Sequence, residues 1–263
     1  MRLLNSAELV AGIKDRHTQE VGKLLEAGVH PKLAIIQVND DPVINTYVRL
    51  KRKYGADIGA IADLYTPKQT DVPKLIDILN KDESVHGMIV QLPLVEPSQT
   101  EEIVNLIAPA KDVDALGQDA PFNPATPTAI LWLLAGYDID LKDKEVVIIG
   151  RGKLVGAPLK NLLEKDGIQP KIGHRGVDDL KAMTLAADVI VAAANVPGIL
   201  KSDMVKPGAV VVDAGTANEE GKTVGNAAPE LYERDDITIT PSRGGVGPLT
   251  VCALFENVIR AAQ

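Results

Sequence analysis

Two residues on one stretch, NTYVRLK, have the types and spacing for chemistry. Tyr47 and Lys51 are i and i+4, so a helix would put them on one face. Alone, the pair also fits a lysine stem lying over a tyrosine at the surface. Further on, an apolar run ends in Gln91-Leu92-Pro93-Leu94, and KDVDALG supplies Asp112 and Asp114. Carboxylates in such a loop could bind a ligand or cap the next segment. In GRGKLVGAP, Gly150, Gly152 and Gly156 directly follow the apolar run EVVIIG. Between a strand and a helix, the first glycine allows a tight turn. The second lets backbone approach a pyrophosphate, and the third lets helix pack on strand. The helix start adds free N–H groups and a partial positive charge. Such glycines are also common in ordinary turns, and it is the flanking elements that favour a dinucleotide. NAD binders usually carry an acid at the end of the next strand. Here that place holds His174 and Arg175, with Arg151 in the first turn. Cations without an acid suit a 2′-phosphate, hence NADP rather than NAD. Solvated arginines would look the same. PSRGGVGPLT (241–250) is a second glycine-rich loop, leading into the last helix.

The elements that must position these residues alternate. A helix is predicted over 6–27, with Ser6 as N-cap. Strand KLAIIQV (32–38), helix 42–55, strand 58–65, helix 72–80, strand 86–93 and helix 100–108 follow. Such alternation implies parallel βαβ units. Residues 111–127, rich in Pro, Asp and Gly, break the rhythm and mark a domain change. Beyond a helix over 127–135, strands are predicted at 145–150, 170–174, 189–194, 209–215 and 237–242. Helices are predicted at 155–165 and 177–187, with a closing helix at 248–262. The expected fold is α/β in two domains. A parallel α/β catalytic domain spans 1–125 and is completed by 248–263. A Rossmann-type nucleotide domain spans 126–247.

The 263 residues are long enough for two cores. Only 3% are aromatic, so aliphatic side chains must fill those cores, as suits covered parallel sheets. A net charge of −8 argues against a nucleic-acid partner, and the basic run Arg49 to Lys53 is too short to reverse that. No apolar run reaches ~18 residues, so no membrane span is expected. The start lacks a secretory pattern. The single cysteine, Cys252, lies in an apolar stretch; it suits a reducing, cytoplasmic setting and reads as a buried inert thiol. Histidines 17, 30, 86 and 174 show no ligand spacing, so no metal is expected.

The order of these motifs carries more than any one of them. Tyr-x-x-x-Lys, Gln-Leu-Pro-Leu, Lys-Asp-Val-Asp, Gly-Arg-x-x-x-Val-Gly-x-Pro and Gly-Gly-Val-Gly-Pro-Leu-Thr together resemble the bifunctional methylenetetrahydrofolate dehydrogenase/cyclohydrolase family, over nearly the whole chain. The resemblance implies a homodimeric enzyme of one-carbon metabolism with a small folate substrate. It implies Lys51 as catalytic lysine with Gln91 as its hydrogen-bond partner. Tyr47 would stack on the folate and Asp114 would bind the pterin. The 244–248 loop, with Gly244, Gly245 and Pro248, would border folate and nicotinamide. Gly150, Arg151, Gly152, Val155, Gly156, His174, Arg175 and Gly215 would hold the cofactor. A carboxylate can accept paired bonds from a pterin edge. A desolvated lysine can move protons in hydrolysis.

Several positions depart from the pattern: Ile44 for Ser, Ala115 for Gly, Ala125 and Ala129 for Cys and Gly, Asn195 for Gly, Asn226-Ala227 for Asp-Val, and Arg243 for Pro. Ala115 matters most for backbone shape, since a non-glycine resists positive φ. Two other readings stay open. One is a two-domain dehydrogenase of shikimate or amino-acid type, which leaves QLPL and GGVGP unexplained. The other is a non-catalytic folate or nucleotide binder.

Overall fold

The computed structural model describes residues 2–174, 179–194, 196–219 and 222–263. The chain divides into two compact units: Met1–Val10 with Thr126–Thr250, and Ala11–Ala125 with Val251–Gln263.

The second of these is built on a parallel three-stranded sheet. Its strands are β2 (Lys32–Ile36), β3 (Ile61–Tyr65) and β4 (Gly87–Val90), in the order β3-β2-β4. Leu33 to Ile36 are fully buried, as a central strand covered on both faces requires. The first strand of the fold, β1 (Arg2–Leu3), belongs to the other unit. The helices here come from α1 (Ala7–Glu26), α2 (Pro42–Ile58), α3 (Val72–Lys81), α4 (Thr100–Val104) and the C-terminal part of α8 (Val246–Ala261).

Helix α2 has sharply defined ends. Asp41 accepts bonds from Val43 N (2.8 Å) and Ile44 N (3.3 Å), and Pro42 fills the first turn. Gly59, at φ 86°, closes it in the left-handed conformation. That stop lies beyond the predicted 55, so the next strand begins at Ile61 rather than 58. Helix α4 is shorter than predicted. The Asn105 side chain turns back on Glu101 O (2.8 Å), and the chain leaves the helix there.

The first-named unit holds a six-stranded parallel sheet, ordered β1-β11-β8-β7-β5-β6. Its other strands are β5 (Val146–Ile149), β6 (Lys171–Gly173), β7 (Val189–Ala192), β8 (Val210–Asp213) and β11 (Thr238–Ile239). Helices α5 (Ala125–Gly136), α6 (Gly156–Lys165) and α7 (Leu180–Ala186) complete it, with an antiparallel pair β9 (Ala217–Glu219) and β10 (Lys222–Val224).

The expectation that residues 1–125 form one domain needs correction at its start. Strand β1 pairs with β11, Leu4 N donates to Ile239 O (2.9 Å), and Tyr137 Oη donates to Asn5 O (2.8 Å). Ser6 holds the N-cap position, its carbonyl accepting from Val10 N (2.8 Å), but its side chain does no capping. Its hydroxyl donates to Gly244 O (2.9 Å), while Asn5 Oδ1 accepts from Ala7 N (2.9 Å). The last helix starts two residues early, so Pro248 occupies its first turn, where a missing N–H costs nothing.

Candidate active site

In the α2–β4 unit, the central contact is a single hydrogen bond. Lys51 Nζ donates to Gln91 Oε1 at 2.8 Å. Helix α2 supplies the lysine on the same face as Tyr47, which is half-buried. Gln91 directly follows β4, at the carboxyl end of a parallel strand, and its backbone N donates to Ile36 O (2.8 Å). A cis bond joins Leu92 to Pro93. Ile44, in place of a serine, is buried on the same helix and offers Lys51 no acceptor.

Asp114 is the third member. Burial pushes the Lys51 pKa down, and the negative charge of Asp114 partly opposes this. The carboxyl of Asp114 is raised by burial and partly lowered by Lys51. Desolvation prevails at both groups. A proton can therefore move at Lys51 more readily than at a surface lysine.

The loop carrying Asp114 is fixed at several points. The backbone of Asp112 bridges to Met88 of β4, so Gln91 and Asp114 are placed from one strand. The Asp112 carboxylate, 2% exposed, accepts from Gly117 N at 2.7 Å. Burial raises its pKa to about 6, against the lowering effect of hydrogen bonds from the Gly117, Leu116 and Ala115 amides. Asn257 of α8, 4% exposed, donates to Val113 O and Asn123 O, both at 2.9 Å. Ala115 stands at φ 53°. The loop keeps the left-handed turn that a glycine would adopt freely, and an alanine sustains it under strain.

In the other unit, β5 runs into Gly150 at φ 115°, and α6 follows. A Cβ at Gly150 would lie 2.5 Å from Ala193 O, and one at Gly156 would collide with Gly150 O. Both positions therefore require glycine. Gly152 has open space around it. Val155 is the cap residue of α6 and makes no side-chain cap bond. Arg151 is exposed, and His174, just beyond β6, is half-buried. Arg175 lies outside the described residues, as does Asn195. Strand order changes direction at β5, with β6 on one side and β7 on the other. Dinucleotides bind at such a switch, beyond the carboxyl ends of the strands. The glycine cradle thus fits a bound dinucleotide phosphate.

The 241–250 segment belongs to this unit too. Gly244 is at φ 82°, and its carbonyl accepts from Ser6. Gly245 is buried beside Thr240, and Pro248 is exposed. Gly215 N donates to Asp213 Oδ1 (2.8 Å), while a Cβ there would press on Asn226. Sequence reasoning did not single out Asn257, Asp213 or Thr240. It noted Asn226 only as a departure. Apart from the Gly215–Asp213 bond, their partners are distant in the chain, and no local spacing marks them.

Away from these sites, His17, Glu20 and Glu256 lie close together. Both His17 nitrogens have partners: Nδ1 with Tyr54 Oη and Nε2 with Glu256 Oε2, each at 2.9 Å. Cys252 is buried, and burial raises its thiol. Among the described residues, no helix is long and apolar enough to cross a membrane.

These features define a class: a parallel α/β protein of two units, one with a dinucleotide-type glycine turn and one with a lysine–carboxamide pair beside a carboxylate. Its sequence relationships are specific. The chain belongs to the tetrahydrofolate dehydrogenase/cyclohydrolase family. Residues 4–114 match that family's catalytic domain and 124–263 its NAD(P)-binding domain. It is 38% identical, over 258 residues and 93% of each chain, to the bifunctional protein FolD of Exiguobacterium sibiricum. The crystal structure of the bifunctional enzyme FolD, methylenetetrahydrofolate dehydrogenase/cyclohydrolase, from Campylobacter jejuni is 37% identical. It superposes with a TM-score of 0.92, covering 100% of this chain and 98% of that one. The Trypanosoma brucei methylenetetrahydrofolate dehydrogenase-cyclohydrolase, solved with NADP and an inhibitor, is 28% identical, with a TM-score of 0.91 over 99% and 96% of the two chains. Membership makes this chain an enzyme of tetrahydrofolate chemistry and sets aside the shikimate and amino-acid readings.

Proposed function

We propose that the protein oxidises 5,10-methylenetetrahydrofolate with NADP and hydrolyses the methenyl product to 10-formyltetrahydrofolate. The observation that carries this is the 2.8 Å Lys51–Gln91 bond, in the field of Asp114, within a chain of this family. When bound, NADP accepts a hydride from the N–CH2–N bridge, leaving the methenyl cation. Gly150, Gly152 and Gly156 with the start of α6 hold the phosphates, with Arg151, Val155, His174, Arg175 and Gly215 as the further cofactor residues. Arg151, His174 and Arg175, without an acid, favour the 2′-phosphate. Gly244, Gly245 and Pro248 border the ligands.

Asp114 takes the amino-pyrimidinone edge of the pterin, and Tyr47 stacks on the ring system. Hydride loss is driven by the substrate's own nitrogens, so the protein contributes positioning. Hydrolysis differs. Water adds to the methenyl carbon, the carbon–N5 bond breaks, and one proton is released overall. Lys51, its ammonium destabilised by burial and by the adjacent cation, moves those protons, and Gln91 orients it. We further propose that the protein is a homodimer of the cytoplasm. Supporting this, β3 is an open sheet edge with Ile61 and Leu64 exposed, and Cys252 is a lone buried thiol.

An absorbance assay with methylenetetrahydrofolate and either NADP or NAD tests the activity. NADP reduction followed by methenyl decay is expected. A preference for NAD removes the cofactor assignment, and folded protein that reduces neither removes the dehydrogenase. Sedimentation equilibrium tests the dimer, and a monomer at assay concentration overturns it.

A further inference from the structure

Asp114 can meet a ligand held by Lys51 and Gln91 only if its turn stands at one place beside β4. The backbone bridge between Asp112 and Met88 sets that place, and Ala115 N donates to Asp112 O (3.2 Å) within the turn. A slip of one residue along the strand would carry Asp114 about 3.3 Å away, more than a hydrogen bond tolerates. From Val113 onward, Asn257 of α8 grips the loop. What holds the chain before Asp112 therefore decides whether the loop can slide.

The carboxyl end of α3 holds it. A helix leaves its last carbonyls without partners of its own. Here the chain leading to Asp114 supplies them. Lys111 Nζ donates to Leu79 O (2.9 Å) and to Asp82 O (2.7 Å). An ammonium at that end also meets the negative pole of the helix dipole, and the charges of Asp82 and Glu83 favour it further. Asn80, in the same last turn, uses both halves of its amide. Its Nδ2 donates to Leu106 O (2.8 Å), and its Oδ1 accepts from Ala108 N (2.9 Å). Between these anchors the chain is wound tight over Pro109–Lys111. Lys111 N donates to Ala108 O (2.8 Å), and Asp112 N donates to Ala108 O (3.1 Å) and Pro109 O (3.2 Å). Only Asp112 and Val113 separate Lys111 from Asp114.

On the reading of Asp114 as the pterin-binding carboxylate, we infer that Lys111 is a positioning residue for folate: its side chain anchors the loop to the carboxyl end of α3 and sets the register of Asp114 against Gln91 and Lys51. It acts through Asp114. A methionine at 111 keeps the length but donates nothing. Two carbonyls at the helix end then lose their partner, and the chain before Asp112 is tied to α3 by Asn80 alone.

The test is a double-mutant cycle of Lys111→Met and Asp114→Asn. KM and kcat for methenyltetrahydrofolate hydrolysis are measured, with NADP affinity and thermal midpoint on the same preparations. Lys111→Met should raise KM roughly tenfold, while kcat at saturating substrate and the NADP Kd stay near the parent's. With asparagine already at 114, the same substitution should add little to KM, because the group it places is gone. Parent KM in Lys111→Met overturns the inference, even if the midpoint falls, since that would be a structural role only. Additive effects on KM in the double variant overturn it as well. If Lys111→Met is not recovered folded, Asn80→Ala, which releases the neighbouring anchor, decides by the same cycle. Hydrogen exchange separates this inference from the functional reading. The Gly117 amide, held by the Asp112 carboxylate, should exchange faster in Lys111→Met with no substrate present. Faster exchange together with a parent that hydrolyses no methenyltetrahydrofolate defeats the functional reading alone. Unchanged exchange in the variant of an active parent defeats the inference alone.

Discussion

Lys51 is governed by opposed influences. Burial disfavours its ammonium, while Asp114 and the Gln91 carbonyl oxygen favour it. The pKa falls below the ordinary lysine value because burial prevails. A base works once it is neutral, so hydrolysis should rise with pH through that lowered pKa. Replacing Asp114 with Asn removes the charge that favours the ammonium, so the rising limb should move to lower pH. Profiles of methenyl hydrolysis at saturating folate check this, and a limb that stays in place would disconnect Asp114 from Lys51. Folate affinity should also fall, since a neutral amide replaces a charged acceptor, and titration of folate and NADP separately reads that loss. Lys51→Met divides the two reactions. Hydrolysis should drop by roughly a hundred- to ten-thousand-fold, the usual worth of general acid–base help. The dehydrogenase should lose less, because its step needs position and no lysine proton. Equal collapse of both rates would make Lys51 a binding residue only.

At the scale of elements, the segment 111–117 delivers Asp114. Its fastening combines a buried carboxylate, a clamp from α8 and a left-handed alanine. The alanine costs about 1 kcal/mol relative to a relaxed backbone. Ala115→Gly relieves it, less the entropy that glycine adds to the unfolded chain. A rise of up to about 4 °C in thermal midpoint is expected, with folate affinity kept. A lower midpoint would show that the turn is not strained. Much of this layout was legible in the chain. The Tyr47–Lys51 face follows from helical spacing, the glycine cradle from its place between strand and helix, and the left-handed demand at 115 from the family pattern. What escaped was non-local. Strand β1 has two residues, too few to show a period, and only its pairing with β11 reveals it. Ser6 takes the cap position that local reading expects, yet its hydroxyl's partner is the distant Gly244. Asn226 and Asn257 are satisfied by backbone far away in sequence, which no spacing rule can anticipate.

At the scale of the whole molecule, acid stability and division of labour can both be tested. Glu256 bonds His17 and Arg16, and those partners hold its pKa at about 2. A depressed carboxyl stabilises the fold above its ordinary value of about 4.5, and the contribution disappears as pH falls toward 2. With the side chain 23% exposed, it is worth about 3 kcal/mol. Asp112 has the opposite sign: raised to about 6, it favours the fold at low pH and loses that contribution as pH climbs through 6. Glu256→Gln should therefore unfold earlier than the parent at pH 7 and converge with it near pH 2. An unchanged gap in thermal midpoint across that range would mean that charge is not its source. The two activities should separate in the same way as the two groups of residues. Gly150→Ala places a methyl against Ala193 O at a φ of 115° that alanine resists. NADP binding and oxidation should be lost together. The Lys51, Gln91 and Asp114 group belongs to the other compact unit, so methenyl hydrolysis should continue. NADP titration beside the hydrolysis assay on one preparation decides it. Loss of hydrolysis in a folded Gly150→Ala protein would mean that the glycine turn supports both reactions, and the assignment of one chemistry to each group of residues would fall.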